Sequence, residues 1–313
     1  MHILRLEAAD VPFARAYCKP YERFCIPLMA RLLAATVPAY AAVGDDGNFY
    51  AVFTFSPAGQ LFHCLPFKAD TPRAAVYTAF VRFFTDAYAT GHAFFSINGE
   101  AHGTALLTRA LKQACGLQPA RRQRYDFMRS PQATSGGASV AAASAPFSAA
   151  GTSTPQAASA VMTGVLTGAL PIGCKIIRCT PSLAESLFPL QEAYEKEEVV
   201  YNLATYNADV SLRALKKNLQ EQAVYALLKD GALVAKGGTN AQGMQYVQLG
   251  GVYTIPAFRS NGYARALVLH IVRDFAAAGK QVTLFVKPQN AAAVRLYTHC
   301  GFAKYGEYES VYF

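Results

Sequence analysis

The sequence has no tryptophan and few charged residues, which make up 16% of it against about 25% in an average globular protein. No apolar run approaches the roughly 20 residues that a membrane-spanning helix needs. Charges interrupt residues 1–7, where a signal peptide would carry its apolar core. These absences predict a cytoplasmic protein without a membrane partner.

Paired cysteines are also missing. The seven cysteines, an odd number, include no Cys-x-x-Cys pair and no Cys/His cluster of the kind that holds zinc. Because disulfides persist mainly in oxidising compartments, this pattern favours reduced thiols in a cytosol. The spacing predicts no metal site.

Acidic residues are fewer than basic ones, 20 against 29, so the net charge is +9. The basic residues are spread along the chain in short runs such as Arg121-Arg122-Gln123-Arg124. This distribution fits a soluble basic protein better than a nucleic-acid-binding one. An excess of positive charge would also help to capture an anionic ligand.

What the sequence does contain is a sharp change in composition. Its 313 residues, 52% of them hydrophobic, are enough for two domains. From Ser130 to about Gly168 the chain is rich in Ala, Ser, Thr and Gly and has no charge, so it cannot bury enough apolar surface to order itself. We predict one domain over residues 1–129, a disordered linker over 130–171 and a second domain over 172–313, with the two domains as separate folding units.

Strands and helices alternate in both predicted domains. In the second, strands are predicted at 175–179, 223–228, 232–236, 245–254 and 282–286, with helices at 180–195, 209–221 and 264–278. Its tail, 303–313, alternates as a closing hairpin would. The first domain follows a similar order from residue 39 onward, with a hairpin across Gly44-Asp45-Asp46-Gly47 and helices at 72–89 and 104–115.

The most informative segment is 251–264, which reads as a strand, a turn and the start of a helix. Val252, Tyr253 and Thr254 are β-branched or aromatic, and Pro256 ends the strand because it has no N–H to donate. After the turn, Gly262 precedes an apolar helix. A helix that starts there presents unpaired N–H groups at its positive dipole end and can bind an anion.

Arg259-Ser260-Asn261-Gly262-Tyr263-Ala264 resembles the Arg/Gln-x-x-Gly-x-Gly/Ala signature of the GNAT superfamily of acyl-CoA-dependent N-acyltransferases. Segment 290–302 is similar to a second family segment, Asn-x-x-Ala/Ser-x-x-x-Tyr-x-x-x-Gly-Phe. The resemblance covers roughly residues 174–313. The first domain faintly resembles a degenerate GNAT domain without this loop, and an unrelated α+β domain is the alternative.

The resemblance implies an α/β (α+β) fold of two tandem GNAT-like domains, each a mixed, mostly antiparallel twisted sheet flanked by helices. It also implies that the N–H groups of the loop hold the pyrophosphate of coenzyme A and that the preceding strand binds the pantetheine arm. The implied cofactor-binding residues are Val252, Tyr253, Thr254, Arg259, Ser260, Asn261, Gly262, Tyr263, Ala264 and Asn290.

Two residues are candidates for catalysis. Tyr297 occupies the position where many family members carry a tyrosine that protonates the departing thiolate, and core packing is the alternative. Residues 245–249 lack the carboxylate that many members place on the long strand. Glu198 is therefore the candidate general base, since the neighbouring Val199 and Val200 could desolvate it and raise its pKa. A solvated charge run, or a water relay, is the alternative.

These expectations together predict an N-acetyltransferase that transfers an acetyl group from acetyl-CoA to a primary amine of a small molecule or peptide. One alternative is a catalytically weak acyl-CoA-binding sensor or scaffold, which the missing strand carboxylate favours. Another is a nucleic-acid-associated modifier that uses the basic run at 121–124. Turnover with amines separates the first two readings, and salt-dependent RNA retention marks the third.

Overall fold

The computed structural model describes residues 1–35, 38–68, 70–131, 170–200 and 203–313. Nearly all of the predicted linker lies outside these residues, so its disorder stays a prediction. No described helix is both long and apolar enough to cross a bilayer.

Both halves of the chain repeat one order of elements: a strand, two helices, three strands, a helix, a strand, a helix and a last strand. The N-terminal half comprises β1 His2–Arg5, α1 Val11–Cys18, α2 Ile26–Ala34, β2 Ala39–Val43, β3 Phe49–Phe55, β4 Gln60–Cys64, α3 Arg73–Ala89, β5 Ser96–Glu100, α4 Ala101–Cys115 and β6 Arg121–Arg129. The C-terminal half comprises β7 Cys174–Arg178, α5 Ala184–Tyr194, α6 Ala208–Glu221, β8 Val224–Lys229, β9 Ala232–Gln242, β10 Tyr246–Thr254, α7 Tyr263–Ala277, β11 Gln281–Val286, α8 Ala291–His299 and β12 Ala303–Tyr312.

This repeat confirms the predicted fold class, a mixed and mostly antiparallel sheet flanked by helices in two GNAT-like halves. The turn at Asp230-Gly231 joins β8 to β9, which cover the strands predicted at 223–228 and 232–236, and both turn residues have positive φ, 48° and 87°, as a tight hairpin turn requires. The first strand and the first two helices, β1, α1 and α2, were not predicted from the sequence.

The twelve strands in the described part of the chain form one continuous sheet, in the order β1-β2-β3-β4-β5-β12-β6-β11-β10-β9-β8-β7. The pairs β4–β5 and β10–β11 are parallel, one in each half, and the remaining neighbours are antiparallel. The parallel pairs occupy equivalent places in the repeat. Each is joined by a crossover helix, α3 or α7.

The last strand of each half crosses into the sheet of the other half. β6 belongs to the N-terminal half but pairs with β11 through Thr283↔Arg129 to Val286↔Asp126. β12 belongs to the C-terminal half but pairs with β5, and β6 and β12 also pair with each other. Each half therefore supplies a strand that the other half needs to complete its sheet.

This exchange overturns one expectation and bears on another. The tail at 303–313 is a single strand rather than a hairpin, because its antiparallel partner is β6 from the other half. For the same reason neither half completes its sheet alone, which argues against separate folding units. The division into domains, with its boundaries, stays a prediction.

The core of the C-terminal half fixes the position of helix α7. Leu267, Val268 and Ile271 are fully buried against β8 to β11, and burying an aliphatic side chain of this size contributes roughly 1.5–3 kcal/mol. This packing holds the first turn of α7 close to the end of β10, the strand that precedes it in the chain. The anion-binding geometry predicted for this turn therefore rests on a rigid helix.

Candidate functional site

A cleft opens where the two parallel strands of the C-terminal half separate. β10 and β11 pair from Tyr246↔Gln281 to Leu249↔Leu284 and no further, although β10 continues to Thr254. Beyond Leu249, backbone groups on the β11 side of β10 are free of strand pairing. Ligands of α/β folds bind at the carboxyl ends of parallel strands, which is where this opening lies.

A bulge shapes the free part of β10. The register with β9 shifts between Gly250 and Tyr253, and Gly251 has φ +61°. A bulge re-aims the backbone and is common beside active sites. Glycine adopts the left-handed conformation without the penalty that a side chain brings, so Gly250-Gly251 explains why β10 bends here.

The loop after β10 leads into an uncapped helix terminus. Gly262 is the N-cap of α7, with φ +77° and no side chain that accepts from the first turn. A Cβ built on Gly262 would meet no atom within 4 Å, so the space beside this residue is open. Asn261 donates from Nδ2 to the carbonyls of Phe258 and Arg259, at 3.2 and 3.0 Å, and thereby shapes the turn. An uncapped terminus facing open space fits the pyrophosphate of coenzyme A.

Three other residues at the loop, Ser260, Tyr263 and Ala264, differ in their backbone conformation and burial. Ser260 has φ +63°, an uncommon conformation for a residue with a side chain. Ala264 lies in the first turn of α7, and the Tyr263 ring is buried in the core. Only the backbone N–H of Tyr263 is therefore suited to an anion, whereas its ring anchors the start of the helix.

Arg259 is already paired in this structure. Its Nη2 donates to both carboxylate oxygens of Glu197, at 2.9 and 2.7 Å, and its Nε donates to the carbonyl of Thr254 at 3.0 Å. The hydrogen bonds from Arg259 lower the pKa of Glu197. Both side chains are about two-fifths exposed, so a polyanion at the loop would compete with Glu197 for the guanidinium.

Three residues at the end of β10 line the path from the bulge to the loop. Val252 is half-buried against the α7 core, and Tyr253 lies opposite Lys236 in the strand register. The hydroxyl of Thr254 is buried without a hydrogen-bond partner among the described residues. Because a buried unpaired hydroxyl is costly, Thr254 is a suitable contact for a bound ligand.

Glu198, the candidate base, contacts the N-terminal end of α8, the helix that carries the candidate acid Tyr297. Asn290 caps α8 by accepting from the N–H of Ala293 at 3.0 Å, and its Nδ2 donates to Oε1 of Glu198 at 3.3 Å. Lys287 donates to the carbonyl of Glu198 at 2.9 Å. Glu198 belongs to a π-helical turn, Glu195–Val199, that extends α5, a distortion often found at functional sites.

Tyr297 lies on α8, whereas Glu198 lies on the π-helical turn that extends α5. Its side chain is buried, and its ring contacts Phe302 with centroids 5.8 Å apart. Burial, followed by the charges of nearby groups that include Glu198, raises the pKa of Tyr297 well above its usual range. The phenol therefore keeps its proton at neutral pH and has that proton to donate. The structure thus places Glu198 and Asn290 in contact, with Tyr297 further along the same helix as Asn290 and within reach of the charge of Glu198.

The sequence analysis missed a buried lysine at the bulge. Lys236 on β9 is 4% exposed, and its Nζ donates to the carbonyl of Gly251 at 3.0 Å. The Nζ also lies 4.4 Å from the centroid of the Tyr194 ring. Burial lowers the pKa of Lys236 to about 7, against the opposing charge of Glu195. The sequence held one sign of this buried lysine: Lys236 is the single charged residue in the segment 232–241.

Comparisons with known proteins address the family and the fold. Residues 185–302 match the model of the acetyltransferase (GNAT) family. That segment contains α5, the bulged strand, the loop and α8. No curated protein sequence matches the chain significantly.

Solved structures match over the full length of the chain. A Drosophila protein aligns with a TM-score of 0.62 at 12% identity, covering 99% of this chain and 98% of its own. A tandem GNAT protein from the clavulanic acid biosynthesis pathway aligns at 0.56 and 10% identity, covering 99% and 97%. A GNAT-family acetyltransferase from Colwellia psychrerythraea aligns at 0.55 and 12%, covering all of both chains.

At these identities the structural matches establish the fold alone, and it is the fold of both halves together. The family model adds the sequence of the C-terminal half, which carries the loop, the bulge and the tyrosine. Residues 185–302 of this chain match the GNAT acetyltransferase family, and the whole chain has a tandem GNAT fold.

Proposed function

We propose that this protein transfers an acetyl group from acetyl-CoA to a primary amine of a small molecule or peptide. One observation carries the proposal: the uncapped terminus of α7 lies at the same edge of the sheet as the separation of β10 and β11. The first can hold a pyrophosphate, and the second can hold an extended arm that leads from it toward Tyr297. Few ligands other than an acyl-CoA need both.

The residues of the chain would divide the work as follows. Backbone groups of β10 near the bulge at Gly251 hydrogen-bond the thioester and polarise its carbonyl. Glu198 accepts a proton from the amine, directly or through water, as nitrogen bonds to the acetyl carbon. The carbon–sulfur bond breaks, and the Tyr297 hydroxyl gives its proton to the departing sulfur. A water relay then returns the proton from Glu198 to Tyr297.

Lys236 supports this arrangement from the opposite side of the bulge. Its bond to the carbonyl of Gly251 fixes the peptide planes of β10 beside the cleft. It is a positioning residue in this proposal, because its Nζ lies under the Tyr194 ring rather than in the opening.

A pair of glycine variants tests the cofactor site. Gly262 and Gly279 stand at opposite ends of α7, have φ of +77° and +71°, and face open space, since a Cβ at either position would meet no atom within 4 Å. Alanine at either position costs about 1–2 kcal/mol of backbone strain. Only Gly262→Ala places a methyl group in front of the proposed pyrophosphate. Calorimetry with acetyl-CoA should therefore show at least tenfold weaker binding for Gly262→Ala and unchanged binding for Gly279→Ala.

Equal loss of affinity in both variants would assign the effect to strain and remove the loop from the site. Release of free coenzyme A thiol with a panel of primary amines then measures turnover. Binding of acetyl-CoA without turnover on any amine would favour the sensor or scaffold instead of the enzyme.

A further inference from the structure

Three cysteines from distant parts of the N-terminal half meet in its core. The Sγ atoms of Cys18, Cys25 and Cys64 all lie within 4.8 Å of one another. Their residues are 0%, 3% and 4% exposed. The separations in sequence, seven and thirty-nine residues, match no common metal-binding spacing, so the sequence analysis could not see this cluster.

The fold explains how the three thiols come together. Cys18 ends α1, Cys25 is the N-cap of α2, and Cys64 ends β4. The 3-10 helix Lys19–Phe24 folds the chain back between the first two. All three belong to one buried cluster that joins these helices to the sheet. A bond among the sulfurs would therefore tie α1, α2 and β4 to one another.

The dimensions suit a metal ion held by three sulfurs. With a metal–sulfur distance of about 2.3 Å, a trigonal site places its sulfurs about 4.0 Å apart, so contraction of at most about 1 Å closes this cluster. Zinc normally takes four ligands in structural sites, and no fourth His, Cys, Asp or Glu atom of the described residues joins the group. Thiolates select soft ions such as Cu(I), and Cu(I) accepts three ligands.

A buried carboxylate beside the thiols is a second and independent observation. Glu22 lies between Cys18 and Cys25 in the sequence and is fully buried. Its negative charge adds to the rise in the pKa of both thiols. Its Oε1 accepts from the N–H groups of Gln245 and Tyr246, at 2.9 and 3.2 Å. Its Oε2 has no partner among the described residues. A buried carboxylate oxygen without a partner is costly, and a cation in the cluster would reduce that cost.

We propose that Cys18, Cys25 and Cys64 form a three-thiolate site for a soft metal ion, Cu(I) in the first place. Each thiol loses its proton to water as its sulfur binds, and no redox step is involved. The nearest opening is a cleft of about 410 Å³ lined by Asp10, Phe13 and Tyr17, and Tyr17 also packs against the cluster. The proposal is independent of the acetyltransferase function.

Anaerobic titration of the reduced, metal-free full-length protein with Cu(I) tests the site, with a coloured chelator as competitor. We expect one tightly held ion per chain and X-ray absorption from about three sulfurs near 2.3 Å. Cys18→Ser, Cys25→Ser and Cys64→Ser should each weaken binding at least a hundredfold. Cys179→Ser and Cys300→Ser are matched controls, because these thiols are also buried but lie outside the cluster, and should leave affinity unchanged.

Three results would overturn the proposal. Wild-type protein that cannot compete with the chelator has no such site, and this outcome needs no variant to fold. Equal losses in the control variants would indicate non-specific thiol binding. Titration of the denatured, unreduced protein that finds five thiols instead of seven would show that two of the cysteines form a disulfide.

Discussion

Lys236 offers a stringent test of the site. Because its amine is buried, the structure predicts that this lysine lowers the stability of the folded protein. Its burial lowers its pKa from 10.5 to about 7. Each pH unit between folded and unfolded values corresponds to about 1.4 kcal/mol, so burying the charged amine costs roughly 4–5 kcal/mol relative to its neutral form. Natural proteins retain such costs mainly where function requires them.

Lys236→Met removes this cost but also removes two favourable contacts. The carbonyl of Gly251 loses its donor, worth about 1–3 kcal/mol when buried, and the contact with the Tyr194 ring is lost, worth about 1–2 kcal/mol. The expected net effect at pH 7 is a gain of roughly 1–2 kcal/mol in the free energy of unfolding. We expect turnover to fall, since the bulge loses its support.

The dependence on pH is the sharper part of the prediction. Below pH 7 the lysine is charged in both states, so its burial cost is fully present. Between pH 7 and 10.5 the unfolded state binds the proton more tightly, so the stability of the wild type rises with pH. The slope is at most about 1.4 kcal/mol per unit, and Lys236→Met lacks it. The advantage of the variant should therefore shrink, and then reverse, as the pH rises from 7 to 10.

Urea unfolding of both proteins at several pH values from 6 to 10 measures this difference. Lys175→Met is a suitable control, because Lys175 is an exposed lysine on the edge strand β7, and its effect should not vary with pH. A constant difference between Lys236→Met and the wild type would show that Lys236 is solvated and keeps an ordinary pKa. Unchanged turnover of Lys236→Met would assign the lysine to packing.

Two further predictions follow from the site and the sheet. Tyr297→Phe should lower turnover about 10²–10⁴-fold with little change in acetyl-CoA affinity or unfolding temperature, and an unchanged rate would make Tyr297 a packing residue. A fragment of residues 172–313 lacks β6, so circular dichroism and size-exclusion chromatography should find it unfolded or aggregated. A soluble fragment that binds acetyl-CoA would show that the exchanged strand is dispensable.

The sequence predicted local features better than distant ones. The turn at Gly262 and the helix that follows it depend on a few adjacent residues, and the structure has both where they were expected. Lys236 was missed because its burial depends on Tyr194, which lies more than forty residues earlier. Cys64 was not linked to Cys18 because only the tertiary fold brings α1 beside β4. Contacts between residues this far apart in the sequence leave no recognisable spacing pattern.

The exchange of β6 and β12 gives the N-terminal half a part in the proposed site, although that half lacks the loop proposed to bind the pyrophosphate. β11 forms one wall of the cleft, and β6 pairs with its residues Thr283 to Val286 on the side away from β10. Without β6, that edge of β11 would be unpaired. Residues of β11 beyond its pairing with β10 would then have no neighbouring strand to fix their position. Glu22 adds a second tie, because its carboxylate accepts from the N–H groups at the start of β10. The degenerate half therefore holds both strands of the cleft in place, which is a physical reason for the chain to retain it.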